Sequence, residues 1–74
     1  MDRLNAMAVL LAVVEGGSLS AASRQLKTPL PTISRKISEL ERHLRTRLLI
    51  RSARQITLTD AGKSYVEACR VIVE

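Results

Sequence analysis

Seventy-four residues with 46% hydrophobic side chains make one small domain, whose single apolar core supplies only about 3–5 kcal/mol before staples or partners add to it. One cysteine and one histidine exclude an internal disulfide and a Cys/His metal cluster, which leaves a second subunit as the remaining staple. The net charge of +5 is concentrated between residues 35 and 54, where seven basic residues face only Glu39 and Glu41, the electrostatic footprint of a polyanionic partner.

Asp2 is placed to cap a first helix, and Leu4, Met7, Ala8, Leu11 and Val14 follow at helical spacing as its inward face. Ala6, Val9, Leu10, Ala12 and Val13 make the same helix apolar nearly all round, so it needs cover on more than one side. In so small a domain that cover is expected from a second protomer through Val9 and Val13. The apolar run 6–14 is far shorter than the roughly 18 residues that span a bilayer. It also lacks the basic flank and cleavage site of a secretory signal, and a cytoplasmic protein is expected.

Gly16 and Gly17 end this helix, because glycine takes the left-handed cap conformation at no steric cost. Ser18 then caps a short second helix with Leu19, Ala22 and Leu26 inward. Only Lys27, Thr28 and Pro29 separate it from the next helical pattern. A link of that length is the helix-turn-helix pattern, with Thr28 as the expected cap and Pro29 and Pro31 in a first turn whose N–H groups lack intrahelical partners.

In the third helix Leu30, Ile33, Ile37, Leu40 and Leu44 fall on one stripe at about 100° per residue, and Arg35 points directly away from it. Pro31, Ser38 and Arg42 lie beside Arg35 on the outer face, with Thr32 and Glu39 at its flank. A guanidinium held there has the geometry to bond the O6 and N7 of guanine in a major groove, and the pattern reads as a recognition helix. The plainer alternative is a surface ion pair of Arg35 with Glu39 four residues on. Arg42, about 10 Å further along the axis, is expected at the DNA backbone.

Residues 48–50 and 55–58 are short β-compatible runs separated by Arg51, Ser52, Ala53 and Arg54, a two-stranded wing with an arginine-bearing tip. Arg54 suits a narrow minor groove, where negative potential is concentrated. Arg51 and Lys36 are assigned to phosphates. Thr59 and Asp60 start a last helix in which Ala61, Tyr65, Ala68 and Ile72 share a stripe, with Cys69 beside it. That helix is still running where the chain ends, and a longer protein is expected.

Together these segments resemble the amino-terminal winged helix-turn-helix domain of LysR-type transcriptional regulators. The stretches that carry the resemblance are VVEGGSLSAASRQL, LPTISRKISELERHL, TRLLIR and ITLTDAG. It implies a mainly α fold of three helices and a two-stranded wing (1–58), followed by the start of a dimerising linker helix (59–74). It also implies a bacterial DNA-binding transcription regulator with no cofactor in this segment, and a small-molecule effector for the full-length protein. Groove-facing roles fall on Leu30, Pro31, Thr32 and Arg35, backbone roles on Thr28 and Ser34, and wing roles on Arg51 and Arg54.

With Val9 and Val13, the homodimer interface is expected to draw on Tyr65, Ala68, Cys69 and Ile72. Many members carry glutamine where Leu30 stands, glycine where Arg45 stands and phenylalanine where Leu49 stands. The Leu30 stripe position and its groove role therefore compete. A protein-interaction module with an acidic partner is the alternative to DNA binding. No carboxylate pair, nucleophile–base arrangement or phosphate-cradling glycine loop is visible in the sequence, so an enzyme is not expected.

Overall fold

A computed structural model describes residues 2–51 and 56–73. Its elements run α1 (Arg3–Gly16), α2 (Leu19–Leu26), α3 (Leu30–Leu44), β1 (Leu49–Arg51), β2 (Ile56–Leu58) and α4 (Asp60–Val73). The Asp2 carboxylate accepts from the Asn5 N–H at 3.1 Å, and the Ser18 hydroxyl accepts from the Ala21 N–H at 3.0 Å. Both helix starts are thus closed by the side chains the sequence offers. Gly17 takes φ +83° and terminates α1. There α2 leaves at 118° to α1, so the two helices do not form one continuous apolar rod, and no single described helix is long and apolar enough to cross a membrane.

The core corrects the expectation for α1. Ala6, Met7, Val9, Leu10, Leu11, Ala12 and Val13 are all buried, and the cover comes from α2, α3 and α4 of the same chain. Val9 and Val13 are therefore unavailable to a second subunit. A three-sided wrap by the other helices of the chain satisfies an all-round apolar helix without any partner. Leu4, expected inside, is 61% exposed, and Leu26 also reaches solvent.

From α3 the core receives Ile33, Ile37 and Leu40, all fully buried, each contributing about 1.5–3 kcal/mol of apolar transfer. Leu44 packs at the margin. The inward side of α4 is Val66 and Cys69, with Gly62 also buried. Cys69 is fully buried within its own chain, which corrects its place in the expected dimer interface. Burial pushes both its thiol and the Tyr65 phenol up from their ordinary values, so the thiol is held in the unreactive protonated form.

The wing pairs antiparallel with Leu49 opposite Leu58, Ile50 opposite Thr57 and Arg51 opposite Ile56; β1 is set one residue later than the run 48–50, and β2 ends at Leu58 as its run does. Thr59 joins it to α4. Its hydroxyl donates to the Arg47 carbonyl at 2.6 Å and accepts from the Gly62 N–H at 2.9 Å, while its N–H bonds the Leu48 carbonyl at 3.0 Å.

Candidate nucleic-acid interface

The turn between α2 and α3 sets where the third helix points. Lys27 takes a left-handed φ of 52°, a conformation that costs a non-glycine residue about 1–2 kcal/mol. The Ser23 hydroxyl donates to the Thr28 carbonyl at 2.5 Å, and the Thr28 N–H returns to the Ser23 carbonyl at 3.0 Å. The sequence led us to expect Thr28 as the cap of α3, but its side chain does not cap that helix. Its hydroxyl donates backward to the Leu26 carbonyl at 3.1 Å, and Pro29 holds the cap position with no side-chain bond. The reason is position: α3 begins at Leu30 with Pro29 as its cap residue, so Thr28 stands one residue too early to close the helix.

On the outer face of α3, Pro31 and Arg35 are exposed, with Thr32, Ser34, Ser38 and Glu39 half-exposed around them. The Arg35 side chain is 63% exposed and donates from Nη1 to Glu39 Oε1 at 3.2 Å. The two readings of Arg35 therefore coexist, an outward guanidinium that also holds an ion pair. Leu30 is 41% exposed, so its place on the apolar stripe does not bury it. As the first residue of α3 it stands beyond the part of the stripe that the core encloses, and it is available for apolar contact.

The wing sits against this face. Arg51 donates from Nη1 to the Ser34 hydroxyl at 2.9 Å and from Nη2 toward the Ser38 hydroxyl at 3.4 Å, which brings two expected contact residues, Arg51 and Ser34, together beside Ser38. Lys36 donates to the Asn5 carboxamide, tying α3 to the start of α1. Arg42, Arg45 and Arg47 are exposed; Arg45 takes φ 54°, as its replacement of a helix-ending glycine requires. His43 Nε2 lies 3.4 Å from Arg3 Nη1, away from any cluster with metal-ligand character among the described residues. Arg54 lies outside the described residues.

Sequence reasoning missed Glu41. Its Oε2 accepts from the Leu48 N–H at 2.8 Å and the Leu49 N–H at 3.1 Å, so one carboxylate pins the start of the wing to the recognition helix. Only the odd placement of an acid among seven cations hinted at this. Truncating Glu41→Ala is expected to cost about 2 kcal/mol, since two part-buried donors lose their acceptor. Urea unfolding of the two proteins measures it, and Glu41→Gln, which keeps an acceptor oxygen, should retain more than half.

Residues 4–63 match the family model of the bacterial regulatory helix-turn-helix protein, lysR family. The chain is 49% identical over 70 residues to the HTH-type transcriptional activator AaeR of Escherichia coli (strain K12), covering 95% of this chain and 23% of that protein. It is 40% identical over 74 residues to an HTH-type transcriptional repressor of Pseudomonas aeruginosa (strain UCBPP-PA14), covering 100% of this chain and 23% of that one. The chain thus spans about a quarter of the length of the curated relatives it matches. The crystal structure of the CbnR DNA-binding domain in complex with DNA superposes with a TM-score of 0.93 at 37% identity, covering 99% of this chain and 83% of that one. The chain belongs to the lysR family of bacterial regulatory helix-turn-helix proteins.

Proposed function

We propose that this domain binds double-stranded operator DNA sequence-specifically, as the DNA-reading part of a cytoplasmic bacterial transcription regulator, with α3 in the major groove and the wing in the adjacent minor groove. The observation that carries the reading is the polarity of α3: Ile33, Ile37 and Leu40 are wholly inside and the Arg35 guanidinium stands outside. Likeness to a domain bound to DNA supports it. Arg35 donates to guanine, Pro31 and Thr32 line the groove floor, and Leu30 offers apolar contact to a thymine methyl. Thr28, Ser34, Lys36, Arg42 and Arg51 set the helix on phosphates, and Arg54 enters the minor groove.

The same reading makes the regulator a homodimer through α4. Along that helix Val71 is 84% exposed and Ile72 56% exposed, with Ala61 and Ala68 exposed on its outward side. Beside them a groove of about 420 Å³ is lined by Leu44, Leu48, Ala61, Tyr65 and Ala68. The Tyr65 hydroxyl is buried with no hydrogen-bond partner among the described residues. Contiguous apolar surface of this kind marks an interaction site. Beyond this segment, the full-length protein carries the part that senses a small-molecule effector.

Binding sites selected from random duplex DNA are expected to be two-fold symmetric, with half-sites about 34 Å or a multiple apart. On such a site Arg35→Ala should lose about 5-fold to 150-fold of the discrimination at one guanine pair per half-site, equivalent to ~1–3 kcal/mol. Equal weakening on selected and random duplexes would remove Arg35 from base reading. Binding that vanishes under excess nonspecific DNA would favour an acidic protein partner instead.

A further inference from the structure

Glu39 is the one carboxylate of the basic segment on the outer face of α3. The other, Glu41, is turned inward onto two backbone N–H groups. A cleft of about 260 Å³ between α1 and α3 is lined by Asp2, Asn5, Ala6, Arg35, Lys36 and Glu39. Within it Lys36 is committed to Asn5, and the ion pair of Glu39 is with Arg35 at 3.2 Å. That bond uses Nη1 alone. A guanidinium is a rigid plane of five donors, so its Nε–Nη2 edge stays free, and two parallel donors on one edge are what bidentate contact with guanine requires.

We propose that Glu39 is a specificity-determining residue, fixing the plane of Arg35 with one edge open and disfavouring its diversion to phosphate. This rests on the reading of Arg35 as a base reader. On a duplex with guanine at the contacted position, the free edge makes both bonds and the pair with Glu39 persists. On a duplex without it, an untethered arginine would recover affinity by swinging to a phosphate. With Glu39 present, that movement separates opposite charges and leaves a carboxylate facing the DNA backbone, and repulsive elements of this kind sharpen discrimination. Pre-setting the side chain also lowers the ordering cost of the correct contact.

The test uses three duplexes: one selected by the wild-type protein from a random pool, the same duplex with the contacted G·C pair replaced by A·T, and an unrelated sequence of equal length. Glu39→Gln keeps shape and helix propensity. It is expected to strengthen binding to the second and third duplexes by about threefold to tenfold while changing the first by less than about twofold. The guanine preference then falls by about threefold or more. Glu67→Gln, at an exposed position of α4, makes the same charge change and should leave the preference intact. Equal strengthening on all three duplexes, no change, or an equal loss of preference in Glu67→Gln would overturn the proposal. If Arg35→Ala loses the guanine preference but Glu39→Gln does not, the role of Glu39 fails alone. If Arg35→Ala keeps it, the base-reading assignment fails with it.

Discussion

Replacing Gly62 by alanine is expected to leave the domain largely unfolded at room temperature. A Cβ at this position would lie 2.1 Å from the Leu48 carbonyl oxygen and 3.0 Å from its carbon, and these are backbone atoms that no rotamer change can move aside. Leu48 is itself fixed on three sides: its N–H bonds Glu41, its carbonyl accepts from Thr59, and its side chain is buried. Relief would mean parting α4 from the wing, which withdraws Val66 and Cys69 from the core. Overpacking typically costs 1–3 kcal/mol and more where backbone must shift, and the reserve of so small a domain is about 3–5 kcal/mol. Thermal or urea unfolding followed by circular dichroism checks this. An alanine variant within about 0.5 kcal/mol of wild type would show that α4 is not held against the wing as described.

The second large effect is the loss of DNA affinity with salt. If each dimer neutralises six to ten phosphates, log Kobs falls against log salt with a slope of about −0.9 per contact. Between 50 and 200 mM salt the affinity then drops by about 10³-fold to 10⁵-fold. The cations available for this are the exposed Arg42, Arg45 and Arg47 together with Lys36 and Arg51. The last two are held by Asn5, Ser34 and Ser38, so they meet phosphates already ordered. Removing Arg42 from both protomers with Arg42→Gln should make the slope shallower by about 1.8 and weaken selected and random duplexes alike. A flat salt response in a filter-binding or anisotropy titration would contradict a phosphate-anchored complex.

Much of this was legible in the chain because it depends on local chemistry. Asp2 and Ser18 cap the helices that follow them, and the stripe of Ile33, Ile37 and Leu40 places Arg35 outside by periodicity alone. Among the described residues, β1 lies within one residue of its apolar run and β2 ends where its run ends. What escaped depends on which elements meet in space. An apolar circumference on α1 states that cover is needed but not whose, and the covering helices turned out to be its own neighbours, so Val9 and Val13 left the expected interface. Cys69 left it likewise, because α4 turns Val66 and Cys69 inward. Glu41 reads as one more charge until Leu48 and Leu49 arrive above it. The restriction on Gly62 exists only where a carbonyl from fourteen residues earlier presses against α4. Thr28 stands one residue ahead of the cap that Pro29 occupies, and a boundary shift of one residue is not fixed by residue type.

In the proposed complex the outer face of α3, on which Arg35 is exposed, delivers the guanidinium to a guanine edge in the major groove. Substituting 7-deazaguanine at the contacted base of a selected duplex replaces the N7 acceptor by a C–H while O6 and the Watson–Crick edge are kept. Wild-type protein should bind the substituted duplex about tenfold more weakly, the worth of one hydrogen bond from a charged donor, while Arg35→Ala should bind both duplexes equally. Undiminished binding by wild type at every guanine of the site, or the same loss in Arg35→Ala, would contradict the account.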